Sequence, residues 1–134
     1  QSARCSTVVT VLAPVPTPIP SNQAPEVVFQ TVPKASSSGT ITGTAPFNVH
    51  FNVCQTSDPD HDRLRFRMDL DGDGIFEVQG STGESCRKDF SYPAGTHHAT
   101  VCVTDIDCPT WPTCAGAPTL HPYQCRTYAI VVSP

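Results

Sequence analysis

Long runs of Ala, Leu, Glu or Lys are missing from this sequence, and with them the ordinary material of helices. No apolar stretch approaches the length of a membrane-spanning helix. A basic surplus is missing too: 8 Lys and Arg stand against 12 Asp and Glu, for a formal net charge of -4. That leaves no electrostatic footprint for nucleic acid or anionic lipid. No two cysteines have the CxxC spacing of a zinc ribbon or a thioredoxin-like motif, and there is no Asn-x-Ser/Thr sequon. What is abundant is proline, at 14 residues, with 8 glycines and many Ser and Thr. Such a composition favours short strands and turns in one domain of ordinary size plus a short appendage. The 7 cysteines, irregularly spaced, read as a disulfide framework made in an oxidising compartment, hence a secreted or cell-surface protein. A chain opening at Gln1 without a charged and apolar leader reads as a mature form, or as a trimmed fragment.

Three segments follow one another. Residues 1–12 form an arm whose assembly strand, Thr7, Val8, Val9, Thr10, Val11 and Leu12, is mostly β-branched, uncharged and without a local partner. Residues 13–25 carry Pro14, Pro16, Pro18, Pro20 and Pro25, which fix a polyproline II path and remove amide donors. This linker would span roughly 37 Å at ~3.1 Å per residue, and Thr17 and Ser21 among its prolines suit O-glycosylation or a plain linker equally. Residues 26–134 show seven or eight short strands separated by turns, expected at 27–32, 40–42, 47–53, 64–70, 75–78, 88–92, 99–104 and 124–132. The clearest alternations place Phe47, Val49, Phe51 and Val53 on one face, and Leu64, Phe66 and Met68 opposite Arg63, Arg65 and Arg67.

Acidic residues crowd between Asp58 and Glu77: Asp58, Asp60, Asp62, Asp69, Asp71, Asp73 and Glu77. Such a density repels itself unless a cation or arginines offset it. Asp69, Asp71 and Asp73 followed by Gly74 repeat the start of an EF-hand loop, where alternate carboxylates converge on a hard cation and glycine permits the reversal. Ile75 would offer its carbonyl and Glu77 a water-mediated ligand. The usual bidentate Glu is replaced by Gly80, so the remaining ligands are expected from Asp58 or Asp60, giving one structural Ca2+ site that joins two connecting segments. The competing reading is a solvated acidic turn.

The order TAPFNVHFNV, SDPDHDRLRFRMDLDGDG and FSYPAGTHHATVCVTD resembles the PKD domain, an immunoglobulin-like extracellular sandwich, over roughly residues 26–134. The family's usual Trp-Asp-Phe-Gly-Asp-Gly is replaced by Met68-Asp69-Leu70-Asp71-Gly72-Asp73-Gly74, and an insert with further cysteines runs from Asp107 to Tyr123. The resemblance implies an all-β, immunoglobulin-like (PKD-type) sandwich of 7–8 strands with its extension strand on the Pro-rich linker. Within that topology Cys54 could meet Cys86, Cys102 could meet Cys125, and Cys108 could meet Cys114 across a Pro-Thr-Trp-Pro-Thr turn, among many possible pairings. Cys5 is then left unpaired or intermolecular.

Two functions fit. In the first, the arm is donated to a neighbouring copy by β-augmentation, making a head-to-tail extracellular filament hardened by calcium and disulfides. In the second, the chain is a calcium-stabilised accessory module of a secreted hydrolase or adhesin that binds polysaccharide or protein. Catalysis is not expected. His97 and His98 are adjacent and point to opposite strand faces, and His50, His61 and His121 are scattered. Arg63, Arg65 and Arg67 read as a solvated outer face or as a reader of anionic sugars, and Trp111 and Tyr123 as sandwich cover or a sugar-stacking pair.

Overall fold

The structure, a computed structural model, describes residues 22–81, 83–108 and 118–134. The assembly strand from Thr7 to Leu12, Cys5, the glycosylation candidates Thr17 and Ser21, Trp111 and Cys114 all lie outside the described residues. Every regular element among the described residues is a strand: β1 (Gln30–Val32), β2 (Thr40–Thr44), β3 (Phe47–Asn52), β4 (Arg63–Asp69), β5 (Val78–Gly80), β6 (Arg87–Tyr92), β7 (Gly95–Ile106) and β8 (Gln124–Ser133). They form two sheets, ordered β1-β3-β6 and β2-β8-β7-β4-β5, packed as a β-sandwich. Each neighbouring pair is antiparallel except β2 and β8, which run parallel with Thr40 opposite Ala129 and Thr44 opposite Ser133.

The inward faces follow the alternation of the sequence. Val49 and Phe51 of β3, Phe66 and Met68 of β4, Val101 and Val103 of β7, and Tyr128 and Ile130 of β8 fill one core. Burial of a large apolar side chain contributes about 1.5–3 kcal/mol, so these residues carry much of the sandwich's stability. Gly43 is required by packing, because a Cβ there would meet the Phe47 ring at 2.2 Å.

Two strands depart from the expected limits for physical reasons. The expected strand at 75–78 begins only at Val78, because residues 71–77 are held in the acidic loop by their own carboxylates. β7 begins at Gly95, well before Ala99, and pairs with β8 from Gly95↔Val132 to Val103↔Gln124. Beyond that register the end of β7 is covered by the returning chain: Leu120 N–H donates to the Asp105 carbonyl, and Asp107 N–H to the Pro118 carbonyl. Thr104 and Asp105 are fully buried as a result.

Disulfides join Cys54 to Cys86, closing β3 and β6 at one end, and Cys102 to Cys125, directly opposite each other on β7 and β8. Cys108 is disulfide-bonded as well. Bridges of this kind persist in oxidising compartments, which agrees with an extracellular setting. No helix among the described residues is long and apolar enough to cross a membrane.

Candidate metal centres and binding cleft

The expected single calcium site is divided in two. Asp69, Asp71, Asp73 and Glu77 form one cluster, and Asp58, Asp60 and Asp62 form another, each with its ligand atoms within 4.8 Å of one another. The cause is β4 itself. Asp62 immediately precedes this 7-residue strand and Asp69 ends it, and at roughly 3.3 Å per residue the two ends lie about 20 Å apart. Asp58 and Asp60 therefore cannot complete the Asp69 loop, and the expected joining of both segments around one ion is corrected to two independent clusters.

The Asp69 cluster is shaped by its own amides. Asp69, 8% exposed, accepts from Gly72 N–H at 2.9 Å and Gly74 N–H at 2.8 Å. Asp71 accepts from Asp73 N–H at 3.1 Å, Asp73 from Ile75 N–H at 2.8 Å, and Glu77 from Leu70 N–H. Gly72 and Gly74 take φ of 80° and 86° to turn the chain, a region that costs other residues strain. Ile75 belongs to the loop through its amide, while its side chain is exposed. The Asp73 amide lowers the pKa of Asp71, but desolvation, its carboxyl contact with Asp73 and the charges of Glu77 and Asp73 outweigh this and raise it overall. Below the loop, buried Tyr92 donates its hydroxyl to the Leu70 carbonyl at 2.6 Å. Burial first, and then the charges of Glu77, Asp71 and Asp69, push the Tyr92 hydroxyl well above its ordinary range and keep it a donor.

In the second cluster Asp58 is 7% exposed. Its Oδ1 accepts from Asp60 N–H at 2.8 Å and Asp62 N–H at 3.3 Å, while its Oδ2 is buried without any hydrogen-bond partner. A buried carboxylate oxygen left alone is costly, and an all-oxygen donor set with such an orphan fits a hard divalent cation. The segment that leads into the sandwich ends here: Asn22 donates to Asp62 through its side chain, and Gln23 N–H donates to Asp60. Beside it His121, absent from the sequence reading as a site residue, contacts both Asp105 oxygens through Nδ1 at 2.8 Å and the Asn22 carbonyl through Nε2 at 3.1 Å. The Asn22 carbonyl can only accept, so Nε2 carries a proton toward it while Nδ1 faces the Asp105 carboxyl. The hydrogen bond to Asp105 raises the His121 pKa against the opposing effect of desolvation. No local spacing announces this pair, whose members are 16 residues apart across the insert.

Three other singled-out side chains, His50, His97 and Arg67, are engaged structurally. His50 pairs with Asp89 across β3 and β6, and His97 donates through Nε2 to the Pro93 carbonyl at 2.8 Å. Arg67 lies over the rings of Tyr123, at 4.0 Å, and Phe76, at 5.1 Å, so one face of Tyr123, read as either sandwich cover or a sugar-stacking ring, is held by a guanidinium.

A cleft of about 750 Å³ opens between the β1–β2 connection and the ends of β3 and β8, with Phe29, Lys34, Ser36, His50, Arg126 and Tyr128 in its lining. This lies within the usual size of ligand sites. The connection that forms one wall is pinned: Ala35 N–H donates to Thr31 Oγ1 at 3.0 Å, Ser36 N–H to the Thr40 carbonyl at 2.9 Å, and Ala129 N–H to the Gly39 carbonyl at 2.9 Å.

No family model matches this chain, and no curated protein matches it. Among solved structures, it is similar to a nucleoside hydrolase-related hypothetical protein from Saccharophagus degradans that is associated with carbohydrate metabolism. The likeness has a TM-score of 0.53 at 21% identity and covers 84% of this chain, which spans only 26% of the length of that protein. A second likeness, with a TM-score of 0.48 at 26% identity over 85% of this chain and 36% of the other, is to carbohydrate-binding modules of the β-sandwich superfamily. What the first likeness establishes is the fold: an all-β sandwich corresponding to one part of a larger protein.

Proposed function

We propose that this chain is a non-catalytic, PKD-like accessory module of a larger secreted protein, stiffened by calcium at both ends of β4, which holds polysaccharide. The observation that carries the reading is the preformed cleft beside β8, open to solvent and walled by a loop fixed through its own hydrogen bonds. The similarity to part of a longer protein associated with carbohydrate metabolism supports the setting. It favours the accessory module over the filament subunit, whose donated strand falls outside the described residues. A non-catalytic role is supported by the engagement of His50, His97 and His121 in structural contacts. Calcium is supported by the oxygen-only donors of both clusters and by the orphan oxygen of Asp58. Asp69, Asp71, Asp73 and Glu77 would hold one ion, and Asp58, Asp60 and Asp62 the other, each replacing carboxylate repulsion with attraction.

The test is retention of the purified chain, in calcium, on a panel of insoluble and gel-immobilised polysaccharides, together with its state of assembly by light scattering. Monomers retained by at least one polysaccharide are expected. Filaments that bind none of the panel would overturn the reading.

A further inference from the structure

The cleft beside β8 has a charge character unlike the rest of this acidic protein. None of its described lining residues is a carboxylate, the nearby Asp89 being paired with lining His50, while Lys34 and Arg126 both face it. Arg126 is half-buried and lies 5.3 Å from the centre of the Tyr128 ring, stacked on the cleft floor. Among the described residues no carboxylate pairs with it, and no hydrogen bond claims its donors. A guanidinium partly removed from water, with its fork of donors unused, is costly alone and well suited to a planar carboxylate. Lys34 is exposed on the pinned wall and adds a second positive charge without ordering any new chain. Phe29 gives the cleft an apolar side, and Asn52, whose Oδ1 already accepts from Cys54 N–H, adds an amide of the polarity that meets sugar hydroxyls.

Resting on the reading of this chain as a polysaccharide-holding module, we infer that the cleft selects acidic glycans, taking the carboxylate of a uronic acid on Arg126 and Lys34. Arg126 supplies the directional contact and Lys34 the longer-range attraction. The two together discriminate a uronate from the neutral sugar of the same ring. Binding therefore weakens with salt, as an association between unlike charges at a partly exposed site does.

The experiment is isothermal titration of trigalacturonate, and of its fully methyl-esterified counterpart, into the intact chain in calcium-containing buffer. Arg126→Gln and Lys34→Ala are run alongside, with melting curves to verify folding. The expected result is binding of the acid form, loss of roughly tenfold or more in affinity on esterification or in Arg126→Gln, and a smaller loss in Lys34→Ala. Because Lys34 is exposed, its variant keeps the test open if Arg126→Gln fails to fold. Equal affinity for acid and ester, or wild-type affinity in both folded variants, would overturn the uronate inference and leave the module reading standing. Absence of binding to trigalacturonate together with retention on a neutral polysaccharide would overturn it in the same way. Absence of binding to every polysaccharide in the panel would remove both.

Discussion

At the scale of single residues, Asp58 has the most informative environment. Its Oδ2 is buried without a partner, so the negative charge is a liability until a cation arrives. Asp58→Asn is expected to leave the chelated protein at least as stable as the parent and to abolish one of two calcium-binding events in a calorimetric titration. With calcium at ~100 times the dissociation constant each proposed site would add about 2.7 kcal/mol, and the variant should lack that increment at one cluster alone. Two unchanged binding events would remove Asp58 from the site. His121 makes the complementary prediction. Its pKa is raised above 6.5 by the Asp105 contact, so the stability it supplies is fully present below that ordinary value and is lost as the pH rises through the raised one. Melting temperatures from about pH 5 to about pH 8 should show His121→Gln least stable relative to the parent at the acid end, the two curves converging as the pH rises. A difference independent of pH would assign His121 a purely steric role.

At the scale of elements, the strands were legible wherever apolar and polar residues alternate, as at Phe47 to Val53 and Leu64 to Met68. They were illegible where side chains bind the backbone. Val78 rather than Ile75 opens β5 because Asp71 and Asp73 fold the preceding chain onto themselves. The acidic residues were visible as a set, yet sequence proximity merged two clusters that β4 holds apart. The cleft was invisible, since Lys34 and Arg126 lie far apart in the chain and meet only through the pairing of β2 with β8. Gly72 marks how tightly the Asp69 loop is seated: a Cβ there would stand 2.9 Å from the His98 carbonyl oxygen, at φ 80°. Gly72→Ala should cost roughly 1–2 kcal/mol from the backbone conformation alone and weaken calcium binding at that loop, leaving the Asp58 cluster unchanged in the same titration. The cross-strand bridge gives a second measure. Replacing Cys102 and Cys125 by alanine opens a link 23 residues apart in sequence and should lower stability by about 3 kcal/mol in denaturant unfolding. No change in the midpoint would mean that the unfolded chain gains no freedom from its loss.

At the scale of the whole molecule, the described chain enters and leaves at opposite ends of the long strand β7. Asn22 is tied through His121 to Asp105 near the end of β7, and Ser133 lies by its start, next to Val132, which pairs with Gly95. The stretch of β7 from Gly95 to Asp105 separates these points by about 33 Å at roughly 3.3 Å per residue. Tension applied between Asn22 and Ser133 is therefore directed along the strands, so that the rungs joining β8 to β2 and β7 are sheared together instead of being peeled one by one. The Asp58 cluster sits at the inlet of that load and the Asp69 cluster at the far end of β4, opposite Thr100, so a bound ion at each would brace the sandwich where force enters and midway along β7. On the proposed reading, in which the chain holds polysaccharide, a pull along the strands is the direction in which it would resist most.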